Sequence, residues 1–219
     1  MAERRYSLIV FDWDGTLIDS AAAIVECIQE ASRDLGLPVP SAEHASHVIG
    51  LGLQDALRLA VPALPADQTT AFVARYRAHF LAREDEMQLF AGIEALLEML
   101  CVRGHRLAIA TGKSRRGLER ALDASGLRRH FVASRCADET RPKPHPAMLH
   151  ELMSELGVPT RAALMVGDTS HDLEMARDAK VDAVAVTYGA HPEGALRALV
   201  PLACVGSVEA LRGWLTQNA

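Results

Sequence analysis

Asp12 and Asp14 stand two residues apart in Asp12-Trp13-Asp14-Gly15-Thr16, directly after the apolar run Ser7-Leu-Ile-Val-Phe11. Carboxylates at the end of a buried strand are costly to desolvate unless a cation or a hydrogen-bond donor compensates them. Gly167-Asp168-Thr169-Ser170-His171-Asp172 repeats the arrangement after a second apolar run, Ala163-Leu-Met-Val166, and adds two more acids. An all-oxygen donor set, without cysteine or paired histidine, suits a hard cation. Mg²⁺ takes one or two carboxylates and keeps waters for phosphate oxygens, so the four acids predict metal-assisted chemistry at phosphate.

Two further residues lie between these clusters. Thr111 follows the run Arg106-Leu-Ala-Ile-Ala110, and Lys143 lies in Arg141-Pro-Lys-Pro-His-Pro146, whose prolines are expected to fix its ammonium. A hydroxyl donor and a fixed cation stabilise the equatorial oxygens of a transferring phosphoryl group, and such transfer depends largely on positioning and electrostatics.

The elements that position these residues follow from the apolar pattern. The three runs above and Ala183-Val-Ala-Val186 read as buried strands separated by helical patterns, which predicts an α/β fold with a doubly wound, Rossmann-like parallel sheet. Polar residues follow the first three: Asp12 and Asp14, then Thr111, Gly112 and Lys113, then Gly167 and Asp168. Ligands of open α/β sheets bind at the carboxyl ends of the strands, so three distant segments are expected to converge there. From Ser20 to Gln88 the alternation stops; Ile24, Ile28 and Leu35 keep helical spacing, and four prolines at 38, 40, 62 and 65 punctuate the stretch. This predicts a helical insert, with Phe90-Ala-Gly92 marking the return to the core.

Composition sets outer limits. At 219 residues, 49% hydrophobic and 23% charged, the chain is long enough for one large domain or a core with an insert. A net charge of −5 and only short basic pairs, Arg115-Arg116 and Arg128-Arg129, argue against general affinity for nucleic acid. Cys27, Cys101, Cys136 and Cys204 are widely spaced and form no CxxC pair, which indicates neither a structural zinc site nor a disulfide framework and makes a reducing cytoplasm the expected compartment. No apolar leader or membrane-length run is seen, so no membrane partner is expected.

The combination DxDGT, strand-end Thr111, Lys143 among prolines and GDxxxD, in that order, resembles the haloacid dehalogenase superfamily, in particular its phosphoglycolate phosphatase and β-phosphoglucomutase-like branch. The resemblance covers nearly the whole chain and implies a core of residues 1–18 and 89–219 with a helical cap at 19–88. It also implies a Mg²⁺-dependent phosphatase for a small phosphorylated metabolite, acting as a monomer or homodimer. By position, Asp12 would be the nucleophile and Asp14 the general acid and base, with Thr111, Gly112 and Lys143 holding the phosphoryl group. Mg²⁺ would be held by Asp12, the Asp14 backbone carbonyl and Asp168, with Asp172 binding it directly or orienting its waters. In the cap, Gly50-Leu-Gly52-Leu-Gln-Asp55 offers Gly50 as a substrate contact, and Arg115 is a second specificity candidate. Trp13 is bulkier than is usual at its position, and Gly112 stands where many relatives place Asn; either is expected to bear on substrate fit.

Blander roles compete with each assignment. Asp12 and Asp14 alone would end a strand and cap a helix, and Asp168 and Asp172 would suit a helix N-terminus. Lys143 alone would be a solvated lysine, and the Gly50 loop a simple turn. His44 and His47, three apart, are expected to pack or face solvent rather than bind metal, and His145 and His171 adjoin the motifs without an assigned role. A phosphomutase, a pyrophosphatase and a non-enzymatic phospho-acceptor switch share parts of this residue set. Asp14 separates the chain from dehalogenases, and together with the cap it argues against the switch.

Overall fold

Leu8, Ile9, Val10 and Phe11 are wholly buried and form the first strand of a sheet covered on both faces, which is why the run shows no polar alternation. The computed structural model describes residues 5–219, apart from the side chain of Asp85. In chain order the first elements are β1 (Leu8–Phe11), α1 (Ala21–Asp34), α2 (Ala42–His47), α3 (Leu53–Ala60), α4 (Thr69–Ala82), α5 (Ile93–Val102), β2 (Arg106–Thr111) and α6 (Arg115–Ser125). There follow β3 (Phe131–Cys136), α7 (Ala147–Leu156), β4 (Ala163–Gly167), α8 (Ser170–Asp178), β5 (Asp182–Val186), α9 (Glu193–Arg197), β6 (Ala203–Val205) and α10 (Val208–Asn218).

The six strands pair in parallel in the order β3-β2-β1-β4-β5-β6. The winding reverses between β1 and β4, and at such a switch point an open α/β sheet leaves a crevice beyond the carboxyl ends of its strands. Asp12 follows β1 and Asp168 follows β4, so the topology alone brings the two acidic motifs together.

Successive β1 side chains point to opposite faces. Ile9 and Phe11 pack with Leu96, Leu97 and Leu100 of α5 and Leu211 and Leu215 of α10. Leu8 and Val10 face Met148, Leu149 and Leu152 of α7 and Met175 and Ala176 of α8. A third cluster belongs to α1–α4, where Ile24, Ile28 and Ala31 of α1 meet Leu57, Ala60 and Phe72. These helices therefore have their own core. The chain enters and leaves them side by side: Ile18 bridges Leu89 antiparallel, the Asp19 amide donates to the Gln88 carbonyl at 2.9 Å, and the Phe90 amide to that of Leu17 at 3.1 Å.

Two strands were not anticipated. β3 is an edge strand carrying Ser134 and Arg135, and β6 has three half-buried residues, so neither supplies the apolar run that marks the central strands. No helix among the described residues is long and apolar enough to cross a membrane.

Candidate active site

Asp12 is 1% exposed, one residue beyond β1. Its Oδ1 accepts from the Trp13 amide at 2.6 Å and forms an ion pair of 2.7 Å with Lys143 Nζ. Its Oδ2 is buried and receives no donor from the described residues. Lys143 is equally enclosed, and its ammonium is also 2.7 Å from Asp172 Oδ1. A buried polar atom without a partner is expensive, so the free Oδ2 marks the position where the protein leaves an interaction to something else.

Asp168 and Asp172 are held from behind. Thr169 caps α8 through a reciprocal box: its amide and hydroxyl donate to Asp172 Oδ2 at 3.1 and 2.6 Å, and its hydroxyl accepts from the Asp172 amide. With Oδ1 on Lys143 and Oδ2 on Thr169, Asp172 serves as an anchor for the lysine. Asp168 accepts from the Thr16 hydroxyl at 2.7 Å through Oδ1 and from the Ala190 amide at 2.7 Å through Oδ2. Gly189 makes that last contact feasible, because a methyl group on its Cα would overlap the Asp168 carboxylate and the Gly15 carbonyl.

Oxygens of Asp12, Asp168 and Asp172 lie within 4.8 Å of one another. Burial drives the Asp12 carboxyl well above its ordinary range; Lys143 opposes this, while Asp172 and Asp168 add to it. Burial, reinforced by Asp172, pushes Asp168 up to about 7. Burial disfavours the Lys143 ammonium, but Asp12 and Asp172 outweigh it and raise Lys143 to about 12. With all three carboxylates ionised, the one ammonium would leave two negative charges in a buried cluster whose acceptors are all oxygens. A divalent hard cation fits that charge and donor chemistry.

On the other side of Asp12, Asp14 accepts from the Ser20 hydroxyl at 2.7 Å through Oδ1, and Lys113 Nζ stands 3.1 Å from the same oxygen. Lys113 belongs to the core just after β2, yet its ammonium also lies 4.6 Å from the centre of the Phe80 ring on α4. Thr111, fully buried at the end of β2, accepts from the Lys113 amide at 3.2 Å, which leaves its hydroxyl proton free to turn towards an anion.

The helical insert closes directly over this group. Gly50, at φ 90°, is placed so that a Cβ would lie 3.2 Å from Thr169 Oγ1 and 3.8 Å from Asp12 Oδ2. A Cβ on Gly112 would lie 2.5 and 2.6 Å from the Leu51 and Gly50 carbonyls, so the side chain must be absent for this approach. At the opposite corner the His47 carbonyl is shared by His171 Nε2 at 2.8 Å and His191 Nε2 at 3.2 Å, and Ser46 donates to the Ala190 carbonyl at 2.7 Å. The insert thus rests on the same Gly189–His191 loop that orients Asp168.

Asp12, Asp14, Thr111, Lys143, Asp168 and Asp172 meet at one place, with Gly50 and Gly112 facing each other above them. Arg115 does not join them. Its guanidinium is taken by Glu139 at 2.7 and 2.8 Å, Glu119 at 3.2 Å and Ser134 at 2.8 and 3.2 Å, a structural brace between α6 and β3. Trp13 is buried in the core with Phe11 and Leu17, where its bulk contributes to packing. His44 bonds the Leu59 carbonyl within the insert, His47 stacks on His191, and His145 accepts from the Ala147 amide. Lys113, Ser20, Thr16, Thr169 and Ala190 had been given no role at the site, although Lys113 stands among the polar residues after the second apolar run, Thr16 closes the DxDGT motif, and Thr169 has the Thr-x-x-Asp spacing of a capping box.

The chain matches the haloacid dehalogenase-like hydrolases over residues 9–186. It is 37% identical over 214 residues to the probable phosphatase IndB of Dickeya dadantii, covering 94% of this chain and 92% of that protein. It is 38% identical over 185 residues to the tyrosine-protein kinase PtkA of Mycobacterium tuberculosis, covering 83% of this chain and 62% of PtkA. Among solved structures, the predicted phosphoglycolate phosphatase of Haemophilus somnus 129pt superposes with a TM-score of 0.86 at 25% identity, covering 99% of each chain.

Proposed function

The chain belongs to the haloacid dehalogenase-like hydrolase family, and we propose that it is a Mg²⁺-dependent phosphatase that hydrolyses a small phosphate monoester through an aspartyl-phosphate on Asp12. The observation that carries this reading is Asp12 Oδ2, buried beside an ammonium and two further carboxylates yet free of any donor among the described residues. Relatives named phosphatase or phosphoglycolate phosphatase support the reaction class.

Asp12, Asp168 and the Asp14 backbone carbonyl would hold the metal, with Asp172 anchoring Lys143 behind them. When bound, Mg²⁺ would supply positive charge that offsets the charge of the phosphate. The Asp12 carboxylate forms a bond to phosphorus as the ester P–O bond breaks, and Asp14 gives its proton to the departing alcohol. Thr111 donates to an equatorial phosphoryl oxygen, and the Lys143 ammonium offsets the negative charge gathered there. Asp14, now ionised, takes a proton from water as that water attacks phosphorus, releasing inorganic phosphate and restoring Asp12. The Gly50–Gly52 loop, resting on Gly112, excludes bulk water during the first step.

Phosphate release from small monoesters, including phosphoglycolate and sugar phosphates, tests this with and without Mg²⁺ beside Asp12→Asn. Metal-dependent release abolished by Asp12→Asn is the expected result. Isomerisation of a sugar phosphate without phosphate release would indicate a mutase instead, and phosphorylation without turnover would indicate a switch.

A further inference from the structure

We infer that a second phosphate-binding site, for a small phosphorylated molecule or free phosphate, lies at the end of the sheet opposite Asp12 and is formed by Thr160, Arg161 and Lys180. These residues, with Arg5 and Asp182, line a cavity of about 470 Å³, a size usual for small-molecule sites. They come from three segments: Arg5 precedes β1, Thr160 and Arg161 precede β4, and Lys180 and Asp182 form the junction of α8 with β5. β1, β4 and β5 are parallel neighbours, so the cavity gathers residues at their amino ends, whereas Asp12 and Asp168 lie beyond the carboxyl ends of β1 and β4. Hydrolysis at Asp12 uses none of these five residues.

Charge decides what the cavity accepts. Its one carboxylate is already engaged: Asp182 Oδ2 accepts from the Tyr6 hydroxyl at 2.7 Å and from the Arg5 guanidinium at 3.0 Å. Tyr6 is fully buried, so it fixes Asp182, and through it Arg5, from within the protein. Arg161 and Lys180 form no ion pair with any described residue, and the Thr160 hydroxyl makes no hydrogen bond to one. Lys180 has φ 58° in the position after α8 where a helix commonly ends on glycine, and this left-handed turn carries the chain at once into β5. With Arg5 balanced by Asp182, two cations and a hydroxyl are left to a ligand. A phosphate dianion answers both charges: the guanidinium fork binds two of its oxygens, the ammonium acts as a point charge, and the hydroxyl donates to a further oxygen. A single carboxylate would leave one cation unanswered.

Binding at the two ends of the sheet is separable by NMR, because each end has its own amide signals. The full chain is titrated with inorganic phosphate and, separately, with phosphoglycolate, in EDTA and at an ionic strength held constant with KCl. The amides of Thr160, Arg161, Lys180 and Asp182 should shift along a saturating curve, whatever occurs near Asp12. Saturation by either probe supports the site, and the tighter of the two identifies its source as free phosphate or an ester. The double variant Arg161→Gln/Lys180→Gln removes both unengaged charges from exposed positions without touching Tyr6 or Asp182. Its affinity at this end should fall by at least about tenfold, while any shifts at the amides after β1 and β4 stay as in wild type. Shifts confined to the Asp12 end would overturn the inference. So would shifts that rise linearly into tens of millimolar, or a saturating curve that the double variant leaves unchanged.

Discussion

Gly112 approaches the backbone of Leu51 so closely that a methyl group on its Cα would stand 2.5 Å from the Leu51 carbonyl oxygen. Gly112 follows β2 and Leu51 belongs to the helical insert, so this contact limits how closely the insert descends over Asp12. Gly112→Ala should leave the sheet folded and hold the Gly50–Gly52 loop away from the site. The expected result is a fall in kcat/KM of about 10- to 100-fold. Hydrogen exchange at the Gly50, Leu51 and Gly52 amides should quicken while β1 and β4 remain protected. Unchanged exchange together with unchanged kcat/KM would show that closure does not depend on this contact.

Among the described residues Lys143 is the one ammonium paired with the buried acids Asp12 and Asp172. Breaking a buried ion pair from one side leaves uncompensated charge, at a cost of about 3–5 kcal/mol. Lys143→Met should therefore unfold at lower denaturant than wild type without metal, and Mg²⁺ should recover more stability in the variant. Its turnover should fall by roughly 10²- to 10³-fold even when refolded with metal. Unfolding curves with and without Mg²⁺ check the first expectation, and an unchanged midpoint would contradict it.

His191 gives a pH dependence of defined sign. Burial, and then the neighbouring His171 and His47, push its imidazole down to about 4. The unfolded chain takes up this proton near 6.5 and the folded one only near 4, so between those values the unfolded state holds more protons. Its contribution is intact above about pH 6.5 and is lost as pH falls towards 4, by on the order of 2–3 kcal/mol. Asp168, raised to about 7, acts in the opposite sense in metal-free protein, since the folded state then holds the extra proton and stability falls as pH rises. Comparing wild type with His191→Gln at pH 7.5 and 4.5 cancels the Asp168 part. A smaller acid loss in the variant is expected, and an equal loss would remove His191 from the account.

The central strands were legible because β1, β2, β4 and β5 are buried on both faces and their apolar runs stand out from the helices between them. β3 and β6 were not, since edge positions admit polar residues such as Arg135 and very short pairings. The acids and Thr111 were legible for a topological reason: a parallel sheet gathers its strand ends, so polar residues just after apolar runs share one crevice, whereas Lys143, seven residues past the polar strand β3, was legible only through the order of the motifs. What sequence spacing did not disclose depends on contacts between distant segments. Lys113 gains its place from Asp14 and Phe80, Ala190 from Asp168, and His191 from the His47 carbonyl. Arg115 shows the converse, a cation adjacent to a motif but consumed by Glu139.

The covalent role of Asp12 is open to direct capture. An aspartyl-phosphate is reduced by borohydride to homoserine, whereas a free carboxylate is not. Protein quenched with borohydride during turnover of a monoester should show homoserine at position 12 by peptide mass spectrometry. The conversion should require both substrate and Mg²⁺ and should be absent from Asp12→Asn. Sustained phosphate release without conversion at position 12, or with conversion at another carboxylate, would contradict the assignment of Asp12 as the nucleophile.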